Sequence, residues 1–450
     1  MQSESTESTS FSDFELASEL LESLTNMALQ EPTEVQQRAI PAILDEQDVV
    51  ITASTGSGKT LAYLVPLAQK ILNSYEWLEQ PKKGQRVQAL IVAPTRELAS
   101  QITDVCDQLL EHTELTVCGL VGGEDFKVQQ KALNRFPDMV VATPGRLIEH
   151  LDARSLSLIE VATVVLDESD QLCDLGFTED VQTILGYVDE AITQNEEQED
   201  DARRCQTLMV SATTTGRTRK LAADVLNDPV ILTINARRAQ NANIRQQMLT
   251  ADDERHKLQL LLWLFDHEPF GRAFVFVNTK TQADNLCGKL RYHNQRAAVL
   301  HSDMKQSVRE GTLKSFKEGR SNILVATDLA ARGLDVENVD IVVNFDMARK
   351  GDEYMHRIGR TGRGGAQGQS FSLIMPNEWN LMASIERYLK IKFERRFIPE
   401  LKGSFNGPKK LKASGKAAGV KKKKTKTSAG KAKAGAKSKK AKPKKAKSAK

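Results

Sequence analysis

At 450 residues the chain is longer than one hydrophobic core usually serves, so two domains with extensions are expected. Its 40% hydrophobic content suits a protein with a buried core and argues against wholesale disorder, while only 5% aromatic residues argues against platforms that stack on bases. The net charge of +4 conceals an asymmetry: residues 401–450 hold twenty Lys and no Asp, Glu or Arg, leaving 43 basic against 59 acidic side chains in residues 1–400, a net of −16.

Residues 1–10 are polar and acidic, without the basic start and apolar run of a leader, and are expected to be disordered. From Phe11 to Leu24 apolar residues recur at helical spacing, at Leu16, Leu20, Leu21 and Leu24. Pro32 fixes a turn, and Thr33 reads as the N-cap of a helix carrying Gln36.

Asp48–Thr52 is a short β-branched run that predicts a buried strand, and residues 61–72 predict a helix. Between them lies AlaSerThrGlySerGlyLysThr, residues 53–60. Gly56 and Gly58 permit a tight turn whose N–H groups, with those of Ser54, Thr55 and Ser57, converge on one anion at a helix N-terminus. Lys59 is placed to reach the β- and γ-phosphates of a nucleotide, and the Thr60 hydroxyl to bind Mg²⁺. Ala53 stands where the usual phosphate-loop pattern has glycine.

Strands are then predicted at 89–93, 139–142, 163–167 and 207–210, each running into a polar cluster. Ligands bind at the carboxyl ends of strands in open α/β sheets, so these clusters are expected to share one crevice. In the third, Asp167 suits holding a metal ion and Glu168 suits orienting an attacking water. The acidic run at 194–201 reads as a solvated loop. Around 231–247 the strand signal fades, which predicts a linker. A second alternation follows, with strands at 273–277, 323–326 and 341–344 and a helix near Gln306–Phe316, but no second glycine–lysine loop. HisArgIleGlyArgThrGlyArg at 356–363 offers positive charge for a phosphate that gains negative charge as it leaves.

The five cysteines, Cys106, Cys118, Cys173, Cys205 and Cys287, form no CxxC pair and no metal spacing. Free thiols in a reducing compartment are expected. The longest greasy run, Leu258–Phe265, is too short to span a bilayer. The expected location is therefore cytoplasmic, with no membrane partner.

Taken together and in this order, ProThrArgGluLeuAla (94–99), ThrProGlyArg (143–146), SerAlaThr (211–213), the run 326–335 and the run 356–363 resemble the motif set of the DEAD-box ATP-dependent RNA helicases over about residues 11–400. The resemblance implies an α/β fold of two tandem RecA-like parallel-sheet domains, here 11–232 and 248–400, joined by a linker at 233–247 and followed by a disordered basic tail at 401–450. It implies an RNA-stimulated ATPase that uses ATP and Mg²⁺ and opens short RNA duplexes, in ribosome assembly or RNA turnover. The expected partners are single-stranded or briefly paired rRNA or mRNA and ribonucleoproteins, and the expected state is a monomer. By matching position, Phe11 and Gln36 resemble the adenine-recognising element, Asp335 the ribose contact, and Arg360 and Arg363 the arginine fingers. Asp170, Ser211, Thr213 and His356 resemble the residues that couple hydrolysis to strand separation. Arg96, Gly123, Thr143, Arg146, Thr279, Gln306, Arg309 and Thr327 resemble the RNA contacts. An ATP-gated RNA clamp and a DNA translocase remain alternative readings.

Three positions depart from the family pattern. Ser169 stands in place of alanine in AspGluSerAsp (167–170), Leu29 in place of an aromatic residue, and Ala348 in place of a proline. The Ser169 hydroxyl, if buried, needs a partner.

Overall fold

The computed structural model describes residues 9–54, 56–77, 87–196, 204–234, 243–331, 334, 336, 339–362, 366–408, 410, 412, 414, 415 and 417. Thr55, Asp335, Arg363, residues 197–201 of the acidic run, 235–242 of the expected linker and the tail from 418 onward lie outside them.

The Phe11–Leu24 segment forms two pieces rather than one helix. A 3-10 turn at Phe11–Phe14 stops at Glu15, which is left-handed (φ 53°), and α1 follows at Ser18–Asn26. Thr33 caps α2 (Glu34–Leu44) through a reciprocal pair of bonds with Gln36. The chain then runs β1 (Val49–Thr52), α3 (Lys59–Trp77), β2 (Ala89–Val92), α4 (Arg96–Leu109), β3 (Val117–Leu120), α5 (Phe126–Leu133), β4 (Met139–Ala142) and α6 (Pro144–Asp152). It continues through β5 (Thr163–Leu166), α7 (Ser169–Asp174), α8 (Thr178–Glu196), β6 (Gln206–Ser211), α9 (Gly216–Val225) and β7 (Val230–Thr233).

The second half comprises β8 (Ile244–Thr250), α10 (Glu254–His267), β9 (Ala273–Val277), α11 (Lys280–Tyr292), β10 (Ala297–Leu300), α12 (Gln306–Lys317), β11 (Ile323–Thr327) and α13 (Asp328–Ala331). It ends with β12 (Ile341–Asn344), α14 (Gly351–Ile358), β13 (Gly368–Ile374), α15 (Trp379–Leu389) and β14 (Glu394–Arg395).

Two seven-stranded parallel sheets result, ordered β3-β4-β2-β5-β6-β1-β7 and β10-β11-β9-β12-β13-β8-β14. Subtracting seven from the second order gives the first, so the two halves are one topology used twice. Helices cover both faces of each sheet, which is why central strands such as β2 and β9 are buried at every position. In β2, Ala89 and Ile91 join one core cluster with α3 and α4, whereas Leu90 and Val92 join another with α6 and α8. In β9, Val275 and Phe274 divide the second sheet in the same way.

Two expectations need correction. The segment read as a linker contributes strand: β7 is an edge strand with Ile231 exposed, and β8 already begins at Ile244 between β13 and β14. The second lobe also extends past the expected break at 401. Asp252 accepts the N–H groups of Ser404 and Phe405, Trp379 Nε1 donates to the Gly415 carbonyl, and Ala417 N–H donates to Asn380. These backbone anchors come from an acid, an indole and an amide of the folded lobe, and Phe405 adds an edge-on contact with Trp379.

Candidate active site

The sheet order brings the polar strand ends together. Strand β6 lies between β1 and β5, with Thr52 opposite Ser211 and Leu166 opposite Met209. The loop after β1, the SerAlaThr turn after β6 and the two acids after β5 therefore sit side by side, roughly one strand spacing of ~5 Å apart.

In the loop after β1, Gly56 and Gly58 are left-handed (φ +77° and +88°). A Cβ on Gly58 would also meet Gln36 Nε2 at 2.7 Å, so glycine is required there for space as well as conformation. Ala53 replaces the customary glycine without strain. Its side chain lies in the core, and its N–H extends the ladder to the Ser211 carbonyl at 3.1 Å. Ser57 closes the loop onto the Ser54 carbonyl at 2.8 Å. Lys59 Nζ donates to the carbonyls of Ala53 at 2.6 Å and Ser54 at 3.3 Å. A phosphate competing for that ammonium has only neutral acceptors to displace. Burial pushes the Lys59 amine below its usual range, and Asp167, Glu168 and Asp170 hold it up.

Gln36 and Phe11 are less open to a base than expected. Gln36 is 2% exposed; its Oε1 accepts Thr33 N–H at 2.8 Å and its Nε2 donates to the Gly58 carbonyl at 3.2 Å. One amide hydrogen and one lone pair remain to it, so any base contact works through a residue that also braces the phosphate loop. The Phe11 ring is 3% exposed and packs edge-on against Phe14. Leu29 packs against the same core.

After β5, Asp167 is 3% exposed, and its Oδ1 accepts the Glu168 N–H at 2.7 Å. Glu168 is held left-handed (φ 43°), an uncommon conformation for a side-chain-bearing residue, and its carboxylate accepts from Gln171. Burial pushes the Glu168 carboxyl up to about 7; the charges of Asp167 and Asp170 add to this, and those of Lys59 and Arg360 oppose it. Burial also raises Asp167, against Lys59 and a hydrogen bond from Tyr63. Glu168 thus feels the charge of Lys59 from the first lobe and that of Arg360 from the second.

The coupling residues are also brought together. Thr213 Oγ1 donates to Asp170 Oδ2 at 2.6 Å, and His356 Nε2, from α14 of the other lobe, lies 3.9 Å from the same oxygen. Ser211 Oγ bonds the carbonyl of Thr213 and accepts its N–H, closing the turn. The buried Ser169 hydroxyl finds its partner in the Val210 carbonyl at 3.0 Å, an added tie between α7 and β6. Ala348 is buried in the second lobe.

The arginines of 356–363 divide by role. Arg360 is 5% exposed, and its Nη1 donates to the Leu334 carbonyl at 2.5 Å. Arg357, which sequence reasoning passes over, is 1% exposed. It grips Asp328 with Nε and Nη2 at 2.5 and 2.7 Å, and it also bonds Asn344, the Asp346 carbonyl and Asn278. Those five bonds use all five of its donors, and the group lies over the Phe276 ring. Helical phase is the available signal, since Arg357 follows the buried Tyr354 by three positions on α14.

The expected RNA residues gather at strand ends and helix starts on both lobes. Thr143 precedes α6, Thr279 caps α11 through Gln282 N–H, and Thr327 ends β11. The Arg96 guanidinium lies over Gly123, where a Cβ would come within 2.3 Å of it. Arg146 is held by the Glu124 carbonyl, Gln129 and Glu149. Gln306 Nε2 bonds Glu310 at 3.0 Å. Arg309 is buried, pairs with Glu97 of α4 at 2.7 Å and donates to the Ala330 carbonyl, so it also bridges the lobes.

Among the described residues no cluster of three or more His, Cys, Asp or Glu side chains is arranged to hold a metal ion. The donor set near Lys59, one carboxylate and the Thr60 hydroxyl, suits a Mg²⁺ ion that takes its remaining ligands from phosphate and water.

The DEAD/DEAH box helicase profile matches residues 33–221, and that of the Helicase conserved C-terminal domain matches residues 256–365. The chain is 37% identical over 403 residues to the DEAD-box ATP-dependent RNA helicase CshA of Geobacillus kaustophilus, covering 90% of this chain and 81% of that one. It is 37% identical over 401 residues to the ATP-dependent RNA helicase SrmB of Escherichia coli, covering 89% and 86%. The structure of Mss116p bound to ssRNA and AMP-PNP superposes with a TM-score of 0.75 at 29% identity, covering 88% of this chain and 81% of that one. That of S. cerevisiae Dbp5 bound to RNA and ADP BeF3 gives 0.71 at 28% identity, covering 86% and 95%.

Proposed function

This chain belongs to the DEAD-box ATP-dependent RNA helicases, and on that premise we propose that it separates short RNA duplexes by closing its two lobes on ATP and one RNA strand. The observation that carries this reading is the approach of both lobes to one carboxylate beside the phosphate loop: Thr213 Oγ1 donates to Asp170 Oδ2 at 2.6 Å and His356 Nε2 of the second lobe lies 3.9 Å from the same oxygen. The phosphate loop binds the nucleotide; Glu168, with a carboxyl near neutrality, takes a proton from water; and Arg360 faces charge that develops on the departing phosphate. Thr60 and Asp167 would hold Mg²⁺, which would supply neutralisation of phosphate charge.

Phosphate-facing Thr, Gly and Arg side chains read the backbone that every RNA shares. They occur at matching strand ends of the two sheets, so closure presents one continuous track. Asp170 links this track to the nucleotide, since it touches Thr213 in its own lobe and lies near His356 in the other. Hydrolysis then loosens the contacts between lobes and releases the strand.

We place the protein in the cytoplasm, acting as a monomer on rRNA or mRNA within ribonucleoproteins during ribosome assembly or RNA turnover. The test is duplex release measured alongside ATP turnover on RNA and DNA of one sequence. ATP-dependent release of a short RNA duplex, with turnover stimulated by RNA only, is the expected result. Turnover without release favours a clamp, and equal stimulation by DNA favours a translocase.

The tail is a tether for RNA in this reading. Residues 418–450 carry fifteen of the twenty terminal lysines, and the chain before them is anchored on the second lobe. Removing 418–450 is expected to weaken RNA binding and flatten its salt dependence by about 0.7 in slope for each phosphate no longer neutralised, leaving basal ATPase unchanged. An unaltered slope refutes the tether.

A further inference from the structure

We propose that Tyr63 is a positioning residue for the metal-holding carboxylate, fixing Asp167 through its phenol. The inference rests on the Mg²⁺ assignment made above. Tyr63 lies one helical turn after Lys59 on α3, so the helix that starts at the phosphate loop also reaches under the acids after β5. Its side chain is 0% exposed within an otherwise apolar cluster. A buried hydroxyl there requires a partner, and Tyr63 Oη donates to Asp167 Oδ2 at 2.9 Å. Lys59, Thr60 and Tyr63 follow one another along the first turn of α3, so the helix that carries the Thr60 hydroxyl also carries the phenol that holds Asp167.

The arrangement constrains the carboxylate at both ends. Oδ1 takes the Glu168 N–H and Oδ2 takes the phenol. Each oxygen keeps a second acceptor site. With rotation about the carboxyl bond blocked, those remaining sites are held in one orientation. A phenylalanine at this position would fill the same volume and leave Oδ2 free to turn. Groups that orient metal-binding side chains commonly contribute about 10- to 100-fold to metal affinity.

The test is Tyr63→Phe in the full chain, read by ADP binding as Mg²⁺ is titrated, so that no step of hydrolysis enters. The variant is expected to unfold cooperatively at a slightly lower temperature, since Asp167 loses one bond, and its ADP affinity in EDTA is expected to match the parent protein. The Mg²⁺ concentration that gives half of the metal-dependent gain in ADP affinity is expected to rise about tenfold. Asp167→Asn is run in parallel. If Asp167→Asn moves the Mg²⁺ midpoint and Tyr63→Phe does not, the positioning role is overturned while the metal assignment stands. If neither moves it, the metal assignment fails and the role of Tyr63 falls with it. A Tyr63→Phe protein that loses ADP affinity equally with and without Mg²⁺ shows a packing role and also overturns the proposal.

Discussion

Glu168→Gln is expected to lower RNA-stimulated ATP turnover by about 10²–10⁴-fold while nucleotide still binds. Glutamine keeps the size of the side chain and can keep the contact with Gln171, but it cannot take a proton from water. The pH dependence sharpens the test. With its carboxyl raised to about 7, Glu168 is largely protonated at pH 6 and largely ionised at pH 8. Parent activity should therefore climb through neutrality, and the residual activity of the variant should not. Stability should move the other way. The folded state holds this proton up to about 7, whereas an unfolded glutamate releases it near 4.5. Between those values the folded form binds more protons, so its stability falls as pH rises. That stability is fully present below about 4.5 and gone above about 7. Without nucleotide, Glu168→Gln should thus be more stable than the parent at pH 8, on the order of 1–3 kcal/mol, and indistinguishable at pH 4. Thermal unfolding at the two pH values checks this, and equal stability at pH 8 would mean that Glu168 is not held near neutrality.

Much of this centre was legible because its chemistry is local in sequence. A phosphate loop needs a strand, glycines and a lysine within a dozen residues, and the acids need only a buried strand before them. The strands that periodicity missed are those whose burial depends on partners far along the chain. Strand β3 contains Gly119, packed against Thr103. Strand β13 carries Ser370 and Ser372, both fully buried, the latter accepting a bond from Asn344 on β12. Strand β8 reads as polar, yet Gln247 is buried beside Arg396. With β3, β8 and β13 hidden in this way, and the short edge strands β7 and β14 mostly exposed, the repeated strand order was invisible in the sequence.

Charged residues inside the second lobe were equally hidden. Lys257 is fully buried against Glu378 at 2.7 Å and beside Asp346, and Asp346 in turn accepts Asn278 N–H. Asn278 also binds Arg357, which grips Asp328. This chain of buried charges joins the ends of β9, β11 and β12, near Thr279 and Thr327, to the helix that precedes Arg360. A buried ion pair that loses one partner typically costs about 3–5 kcal/mol, so such residues must be complemented in full. Composition and spacing reveal a charge but not its partner, and for that reason neither the Arg357–Asp328 grip nor the Arg309–Glu97 pair was legible in the sequence.

Arg360→Ala is expected to reduce RNA-stimulated turnover by roughly 10³–10⁵-fold, the range for arginine fingers, with little change in ATP affinity. Arg360 follows α14 in the second lobe, is buried, and is anchored to the Leu334 carbonyl, yet its charge acts on Glu168 in the first lobe. An arginine held in this way meets developing negative charge without reorganising, which is where electrostatic stabilisation is largest. Arg360→Lys should recover little, because an ammonium cannot keep the carbonyl bond and face the phosphate with a planar fork. A second readout separates this role from simple loss of folding. The Arg360 charge favours ionised Glu168, so removing it should push the Glu168 carboxyl above about 7 and shift the residual pH profile to the alkaline side. Full turnover in Arg360→Ala would contradict the finger, and slow turnover with an unshifted profile would separate Arg360 from the carboxylate it is placed to face.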